Sequence, residues 1–286
     1  MPQIWPVGKF NLGAVLPAAP VFPRTVLDPD AASYISSVES ADGQPLESQL
    51  RYCIENFILG LKGYEIWSKI NNIGLLAGPR TIAGCAIPLK GATPIFNGFD
   101  NNDINRKTGV IGDGSSKYVN SNVLLTSEYA GTESHVLARI IRSTLTNSAY
   151  IGANGSSTSQ GAVAIKVGST ATTILQRVLE AQTSTNHQNT LRHDADGVFG
   201  LSRTVASGWR VIYPNISSSG SATLVSNVAA QPVYVFANNN NGTANEFSNG
   251  RIGLYSLGGS LDQTEFGNYK IVVDRYFSDI SSLTLS

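Results

Sequence analysis

Charge is scarce in this sequence. Of its 286 residues only 14% are Asp, Glu, Lys or Arg, against about 25% in an average domain. Ser, Thr, Asn and Gly carry the polar surface instead, a substitution that suits strands and tight turns better than solvent-facing helices. Neither sign of charge prevails, since 20 basic and 20 acidic side chains give a formal net charge of +0. A nucleic-acid partner calls for a basic excess or stripe, and none is present, so no nucleic acid is expected. Weak repulsion between near-neutral copies suits a subunit of an assembly. Histidine is limited to His135, His187 and His193, none in a metal-ligand spacing such as HExxH. Cysteine is limited to Cys53 and Cys85. Both have apolar neighbours in sequence, which reads as buried free thiols rather than a disulfide, and no zinc spacing occurs. No run approaches the ~18 apolar residues of a membrane helix. The opening Met1-Pro2-Gln3-Ile4-Trp5-Pro6 has no charged stretch leading into an apolar run, so synthesis and retention in a cytoplasm are expected.

What is present falls into three parts. Residues 1–28 read as an extended arm. Pro2, Pro6, Pro17, Pro20 and Pro23 forbid a continuous helix. Ile4, Trp5, Phe10, Leu12 and Phe22 make the arm too apolar to float in water. It must lie on its own body or on a neighbouring subunit, where it would tie an assembly together. Residues 29–80 read as a small helical segment. Asp28 caps a helix with Pro29 in its first turn, and Gly43 stops it. A second helix opens at Pro45 with Leu46, Leu50, Cys53, Ile54, Phe57, Ile58 and Leu61 at helical spacing. A further short helix is expected over Tyr64–Ile70. So little helix buries too little alone and should pack on the rest.

Residues 81–286 change texture. Short runs rich in Val, Ile, Tyr and Phe recur between Gly, Asn and Ser clusters. Strands are expected over Ala86–Leu89, Lys117–Leu125, His135–Ser143, Ala162–Val167, Thr172–Val178, Val198–Leu201, Trp209–Tyr213, Ala222–Val228, Val233–Ala237 and Arg251–Leu257. Many short strands with turns between them and no alternating helices predict a mainly β, antiparallel sandwich. A terminal helix is expected from a Ser260/Gln263 capping pair and from Phe266, Tyr269, Val273, Tyr276 and Ile280 on one face.

The stretch from Val235 to Leu261 carries a resemblance. A strand runs into Asn238-Asn239-Asn240-Asn241-Gly242, then Arg251-Ile252-Gly253-Leu254-Tyr255-Ser256-Leu257-Gly258, then a short capped helix. This resembles the C-terminal part of concanavalin A-like (laminin G-like) jelly-roll domains of bacteriophage virion proteins, with Leu257 where the pattern has Ile. The stretch from Asp28 to Gly84, with Asp42-Gly43-Gln44 and Gly78-Pro79-Arg80-Thr81, continues into Pro88-Leu89-Lys90-Gly91 and Asn105-Arg106-Lys107-Thr108-Gly109. It resembles the N-terminal half of phage structural proteins. The resemblance implies a jelly-roll sandwich in a virion protein that contacts other virion proteins.

Candidate chemistry is thin. His187 and His193 near Asp194 and Asp196 sit in polar turn sequence. Asp100, Asn102 and Asp103 suggest a calcium loop, but the ligand pattern breaks at Ile104 and no closing Glu follows. Gly112-Asp113-Gly114-Ser115-Ser116 lacks the spacing of a phosphate loop and reads as a hairpin turn. No G-x-S-x-G elbow occurs, and carboxylates are scattered. Asn238, Asn239, Asn240 and Asn241 offer amides to sugar hydroxyls, with Phe247 as a nearby platform; alternation places Tyr234 and Phe236 together on the core face. The expectation is a non-enzymatic virion protein of tail, baseplate or fibre, a homo-oligomer with a trimer as the expected form by analogy with repeated particle parts, contacting other virion proteins and host surface glycans. The alternative is a capsid decoration or head-fibre protein with a purely structural role.

Overall fold

The N-terminal helices form where local chemistry favours them. The computed structural model describes residues 27–128, 133–141, 146–157, 159–168, 174–181, 187–189, 196–205, 208–213, 216–221, 227–228 and 230–285. The expected arm residues Ile4, Trp5, Phe10, Leu12 and Phe22 lie outside these. Asp28 caps α1 (Pro29–Asp42) by accepting from the amides of Asp30 and Ala31, and Pro29 fills the first turn. Gly43 ends the helix at φ 71°, a left-handed turn that a Cβ would strain. α2 (Ser48–Gly63) begins at Ser48 rather than Pro45 and turns Leu50, Cys53, Ile54, Phe57, Ile58 and Leu61 inward. The helix expected over Tyr64–Ile70 shrinks to one 3-10 turn, Trp67–Lys69, because Ile70 opens strand β1 (Ile70–Leu75). β1 pairs antiparallel with the last strand, Ile73 opposite Ser256 and Leu75 opposite Leu254. Pairing with a full-length neighbour outweighs an isolated helical turn.

After β1 comes α3 (Ile82–Cys85), capped by the Thr81 hydroxyl, which accepts from the Gly84 amide. The strand expected over Ala86–Leu89 is therefore absent: the chain bends there, and Lys90 makes an isolated bridge to Ile73. The strands that follow are β2 (Ile95–Asn97), β3 (Ile104–Asn105), β4 (Gly109–Ile111) and β5 (Tyr118–Leu124). A short α4 (Leu125–Glu128) precedes β6 (Ser134–Ile141), β7 (Ala149–Asn154), β8 (Gly161–Val167), β9 (Ile174–Ala181) and β10 (His187–Asn189). Next come β11 (Gly197–Val205), β12 (Gly208–Tyr213), β13 (Ile216–Ser221), β14 (Pro232–Val235), β15 (Asn238–Asn240), β16 (Thr243–Asn245) and β17 (Arg251–Gly258). α5 (Gln263–Ser282) closes the fold. The strand expected over Ala222–Val228 falls mostly outside the described residues; Val228 makes an isolated bridge to Gly161.

These strands build a mainly antiparallel jelly-roll sandwich. Sheet A runs β13-β12-β11-β6-β17-β4-β3, with β1 also on β17, and sheet B runs β10-β9-β8-β7-β14-β5-β2, with the β15–β16 hairpin attached to β7. Alternation along β6 shows how the layers separate: Val136, Ala138 and Ile140 enter the core between the sheets, while Leu137 joins the cluster under the helices. That second cluster unites α1, α2 and α5 with Leu137, Val198 and Leu254 of sheet A. The molecule is thus three layers, helices on sheet A on sheet B.

α5 seats on sheet A through two gaps. A Cβ on Gly200 would stand 2.7 Å from Cζ of Phe266, and one on Gly253 would stand 2.4 Å from Cζ of Phe277. Glycine at both positions lets the rings reach the sheet backbone. The cap of α5 is Asp262 with Glu265, a reciprocal capping box two residues later than the Ser260/Gln263 pair expected. Asp262 wins because its carboxylate accepts from both the Thr264 and Glu265 amides. A clamp fixes the front of the helical layer: Glu47 accepts from Arg80 at 2.7 Å and from Arg106 at 2.8 and 2.7 Å.

Candidate binding face on sheet B

The side chains of sheet B that point away from the core decide what the protein can offer a ligand. On β5, Val119 and Val123 go into the core, so the same alternation sends Tyr118 and Asn120 outward. On β14, Val233 and Val235 go into the core, so Tyr234 also points outward. The two tyrosines stack with centroids 4.7 Å apart and planes 32° apart, and Phe247 lies 6.4 Å from Tyr118. Tyr234 is nearly covered, whereas Tyr118 and Phe247 are half-buried. Burial, then the neighbouring Tyr118 hydroxyl, pushes the Tyr234 phenol up.

This corrects the expectation that Tyr234 and Phe236 share the core face. Phe236 adopts φ 69°, which breaks the strand's alternation and turns its ring into the core beside Val235. The chain then reverses, so that β15 runs parallel to β7 with Asn238 opposite Gly152. A Cβ on Gly152 would meet Asn238 Oδ1 at 2.6 Å, so glycine there lets the Asn-rich hairpin lie against the sheet.

The four asparagines divide by role. Asn238 and Asn239 are buried. Asn238 Nδ2 donates to Asn245 Oδ1 at 3.0 Å; Asn239 Nδ2 donates to the Pro232 carbonyl at 2.8 Å, and its Oδ1 accepts from the Gly242 amide at 2.7 Å. These two amides hold the hairpin in shape. Asn240 and Asn241 are exposed at its tip beside Gly242 and Thr243, and Asn241 Oδ1 accepts from Gln231 Nε2 at 3.2 Å. Below the tip, Lys166 and Glu246 form a half-exposed ion pair at 3.0 Å. The fold therefore brings Phe247 of the expected set to Tyr118 and Tyr234, with Asn240 and Asn241 on the adjoining hairpin. Sequence reasoning missed Tyr118, although the alternation of Tyr118-Val119-Asn120-Ser121-Asn122-Val123 could have placed it on the outer face.

The expected calcium loop has structural work of its own. Asp100 caps the 3-10 turn Asn101–Asp103 through the Asn102 amide, and Asp103 Oδ2 returns to the Asp100 amide at 2.9 Å. Both oxygens of Asp103 also accept from Lys117 Nζ at 2.7 Å. Among the described residues no group of three or more His, Cys, Asp or Glu could hold a metal ion.

Gly112–Ser116 is not a hairpin turn, since it carries the chain from β4 of sheet A to β5 of sheet B. Burial pushes the Asp113 carboxyl up, but the amides of Lys117, Ser116 and Ser115 and the Ser116 hydroxyl outweigh it and hold the group well below the usual carboxylate range. His193 and Asp194 lie outside the described residues, and Asp196 is exposed. His135 is buried under α5, between the Gly259 carbonyl at 2.6 Å from Nδ1 and the Ser256 hydroxyl at 3.0 Å from Nε2. Burial pushes its imidazole down to about 4. Cys53 and Cys85 are free and buried.

Among the described residues no helix is long and apolar enough to cross a membrane. No family model matches the chain, and neither does any curated protein. Solved structures resemble parts of it at low identity. A mutant of the NanB sialidase of Streptococcus pneumoniae is 15% identical over 55% of this chain, TM-score 0.36, and the chain spans 24% of that protein's length. The CBM40 domain of the Ruminococcus gnavus IT-sialidase, bound to α2,3-sialyllactose, is 9% identical over 50% of this chain and 85% of the domain, TM-score 0.38. Domains LG4-5 of the mouse laminin α1 chain are 12% identical over 46% of this chain and 36% of theirs, TM-score 0.33.

Proposed function

We propose that this chain is a non-enzymatic structural protein of a bacteriophage particle, placed on the tail, baseplate or fibre, whose sheet B face binds surface glycans of the host. The observation that carries the glycan reading is the ring cluster of Tyr118, Tyr234 and Phe247 on the outer side of sheet B, beside the exposed amides of Asn240 and Asn241. Aromatic faces stack on the C–H face of a sugar ring, and amides supply both donors and acceptors to its hydroxyls. The virion reading rests on the sequence resemblance described above. A glycan array probed with the full chain and with Tyr118→Ala tests the first part. Peptide mass fingerprinting of purified particles, with labelled antibody in electron micrographs, tests the second.

A second reading, a capsid decoration or head-fibre protein with a purely architectural role, draws on Asn238 and Asn239. Their amides bond within the protein and leave only the hairpin tip for a ligand. Failure of every glycan to bind, with the protein present on particles, would favour it.

A further inference from the structure

Asn120 lies at the middle of the outer face of sheet B, on the strand between β2 and β14. Val119 and Val123 of β5 enter the core, so Tyr118 and Asn120 point outward. Phe96 packs against the same core, so its neighbour Ile95 on β2 points outward too. Asn120 stands opposite Ile95 on one side and Tyr234 on the other. Side chains directly opposite in neighbouring strands lie about 5 Å apart at Cβ. Ile95, Asn120 and Tyr234 therefore form one row across three strands, with the half-buried Tyr118 beside it and Ile95 52% exposed. Asn120 Oδ1 accepts from the Asn122 amide at 2.9 Å. That bond fixes the side chain and leaves its Nδ2 to donate to solvent or to a ligand.

We propose that the ligand of this face is a neutral glycan, built of sugar units without carboxylate, phosphate or sulfate, and that Asn120 is the donor that reads its hydroxyl oxygens. The proposal rests on the glycan reading of the same face given above. Charge decides the class. β2, β5, β7, β14 and the β15–β16 hairpin contain no Asp, Glu, Lys or Arg. The cations that flank these strands are committed. Lys166 of β8 donates to both oxygens of Glu246, at 3.0 and 3.2 Å. Lys117 donates to both oxygens of Asp103 and lies over the Phe99 ring, on the opposite side of the strand from Tyr118. Arg177 and Glu180 belong to β9, three strands from β14 and so about 14 Å away at ~4.8 Å a strand. The carboxylate of Asp113, just before β5, already accepts from the amides of Ser115, Ser116 and Lys117. An anionic sugar would give up its water here without gaining a cation, which is unfavourable. A neutral sugar loses only hydroxyl hydration, which the amides replace while the ring stacks on Tyr118.

The test is a glycan array of neutral oligosaccharides beside sialylated, uronic acid-containing and phosphorylated ones, probed with the full chain. Neutral glycans should bind, and their affinity should change less than about twofold between about 0.05 and about 0.5 M NaCl, because no ion pair is there to be screened. Asn120→Asp keeps the oxygen that accepts from the Asn122 amide and exchanges the Nδ2 donor for a second acceptor. It should weaken neutral binding at least about tenfold, the effect of losing one ligand hydrogen bond and facing the sugar with an unmatched oxygen. Asn120→Ala serves in its place if that variant does not fold, with the same result expected. Binding confined to the acidic glycans, or affinity that falls about tenfold or more with salt, would overturn the proposal while leaving the face a glycan site. Unchanged binding by a folded Asn120 variant would overturn the role of that side chain. Absence of any glycan binding would overturn both this proposal and the reading on which it rests.

Discussion

Replacing Gly253 by alanine should unseat α5 by a predictable amount. The new Cβ would lie 2.4 and 2.5 Å from Cζ and Cε1 of Phe277 and 3.0 Å from the Thr108 carbonyl. Phe277 is 8% exposed and packs edge-on to Tyr276 at 5.4 Å, so its ring has nowhere to retreat except by lifting the helix. Overpacking of this kind costs ~1–3 kcal/mol. Displacing the ring also weakens the Arg139 guanidinium contact on its face, 5.3 Å from the centroid, which contributes ~0.5–1 kcal/mol. Lower entropy of the unfolded alanine chain returns ~0.4–1 kcal/mol. The net expectation is a loss of about 1–3 kcal/mol in urea denaturation. A double-mutant cycle makes the cause specific. Phe277→Ala alone should cost ~3 kcal/mol, but adding Gly253→Ala to it should cost much less than it does in the parent, because the methyl then enters vacated space and only the 3.0 Å approach to the Thr108 carbonyl remains. Additive losses, or a Gly253→Ala protein within ~0.5 kcal/mol of the parent, would refute the reasoning.

Three other outcomes are expected. Gly267 sits inside α5, and its Cβ would meet nothing within 4 Å, so Gly267→Ala should stabilise by ~0.5–1 kcal/mol, read as a higher urea midpoint. Glu47→Ala removes the carboxylate between Arg80 and Arg106, whose side chains are 11% and 12% exposed; a loss of ~3 kcal/mol is expected from calorimetry or urea. For His135, burial lowers the folded-state pKa to about 4 from the ordinary 6.5, so below pH 6.5 the unfolded chain binds a proton that the native chain refuses. Stability from this group is fully present above pH 6.5 and is lost as pH falls towards 4, by ~3 kcal/mol in all at 1.36 kcal/mol per pH unit. The difference between parent and His135→Gln stability curves should slope across that window, and a flat difference would contradict the buried neutral imidazole.

The sandwich was legible in sequence where a strand's periodicity stands by itself. β6, β8, β11 and β17 occupy or overlap the expected runs, since β-branched and apolar residues between Gly and Asn turns leave few alternatives. The same holds for α1, whose Asp28, Pro29 and Gly43 signals are local. β1 was not legible: Ile70-Asn71-Asn72-Ile73-Gly74 looks like a turn, and only pairing with β17, where Gly74 sits opposite Tyr255, makes it a strand. β7 also went unmarked, because the small residues of Ala149-Tyr150-Ile151-Gly152-Ala153 owe their strand to neighbours on both sides. At the candidate site Phe247 and the hairpin were legible from composition, but the division of the four asparagines was not. It depends on the φ of Phe236, a backbone choice set by the Tyr150 carbonyl, which accepts from the Phe236 amide at 2.8 Å.

Binding of immobilised host-surface polysaccharide by the full chain, compared with Tyr118→Ala of matched thermal stability, tests the role of the sheet B face most directly. Removing the ring between Tyr234 and Phe247 should weaken binding at least about tenfold, as loss of one stacking contact of ~1–2 kcal/mol requires. Undiminished binding by Tyr118→Ala would contradict the assignment of that face, and so would the absence of any binding by the parent chain.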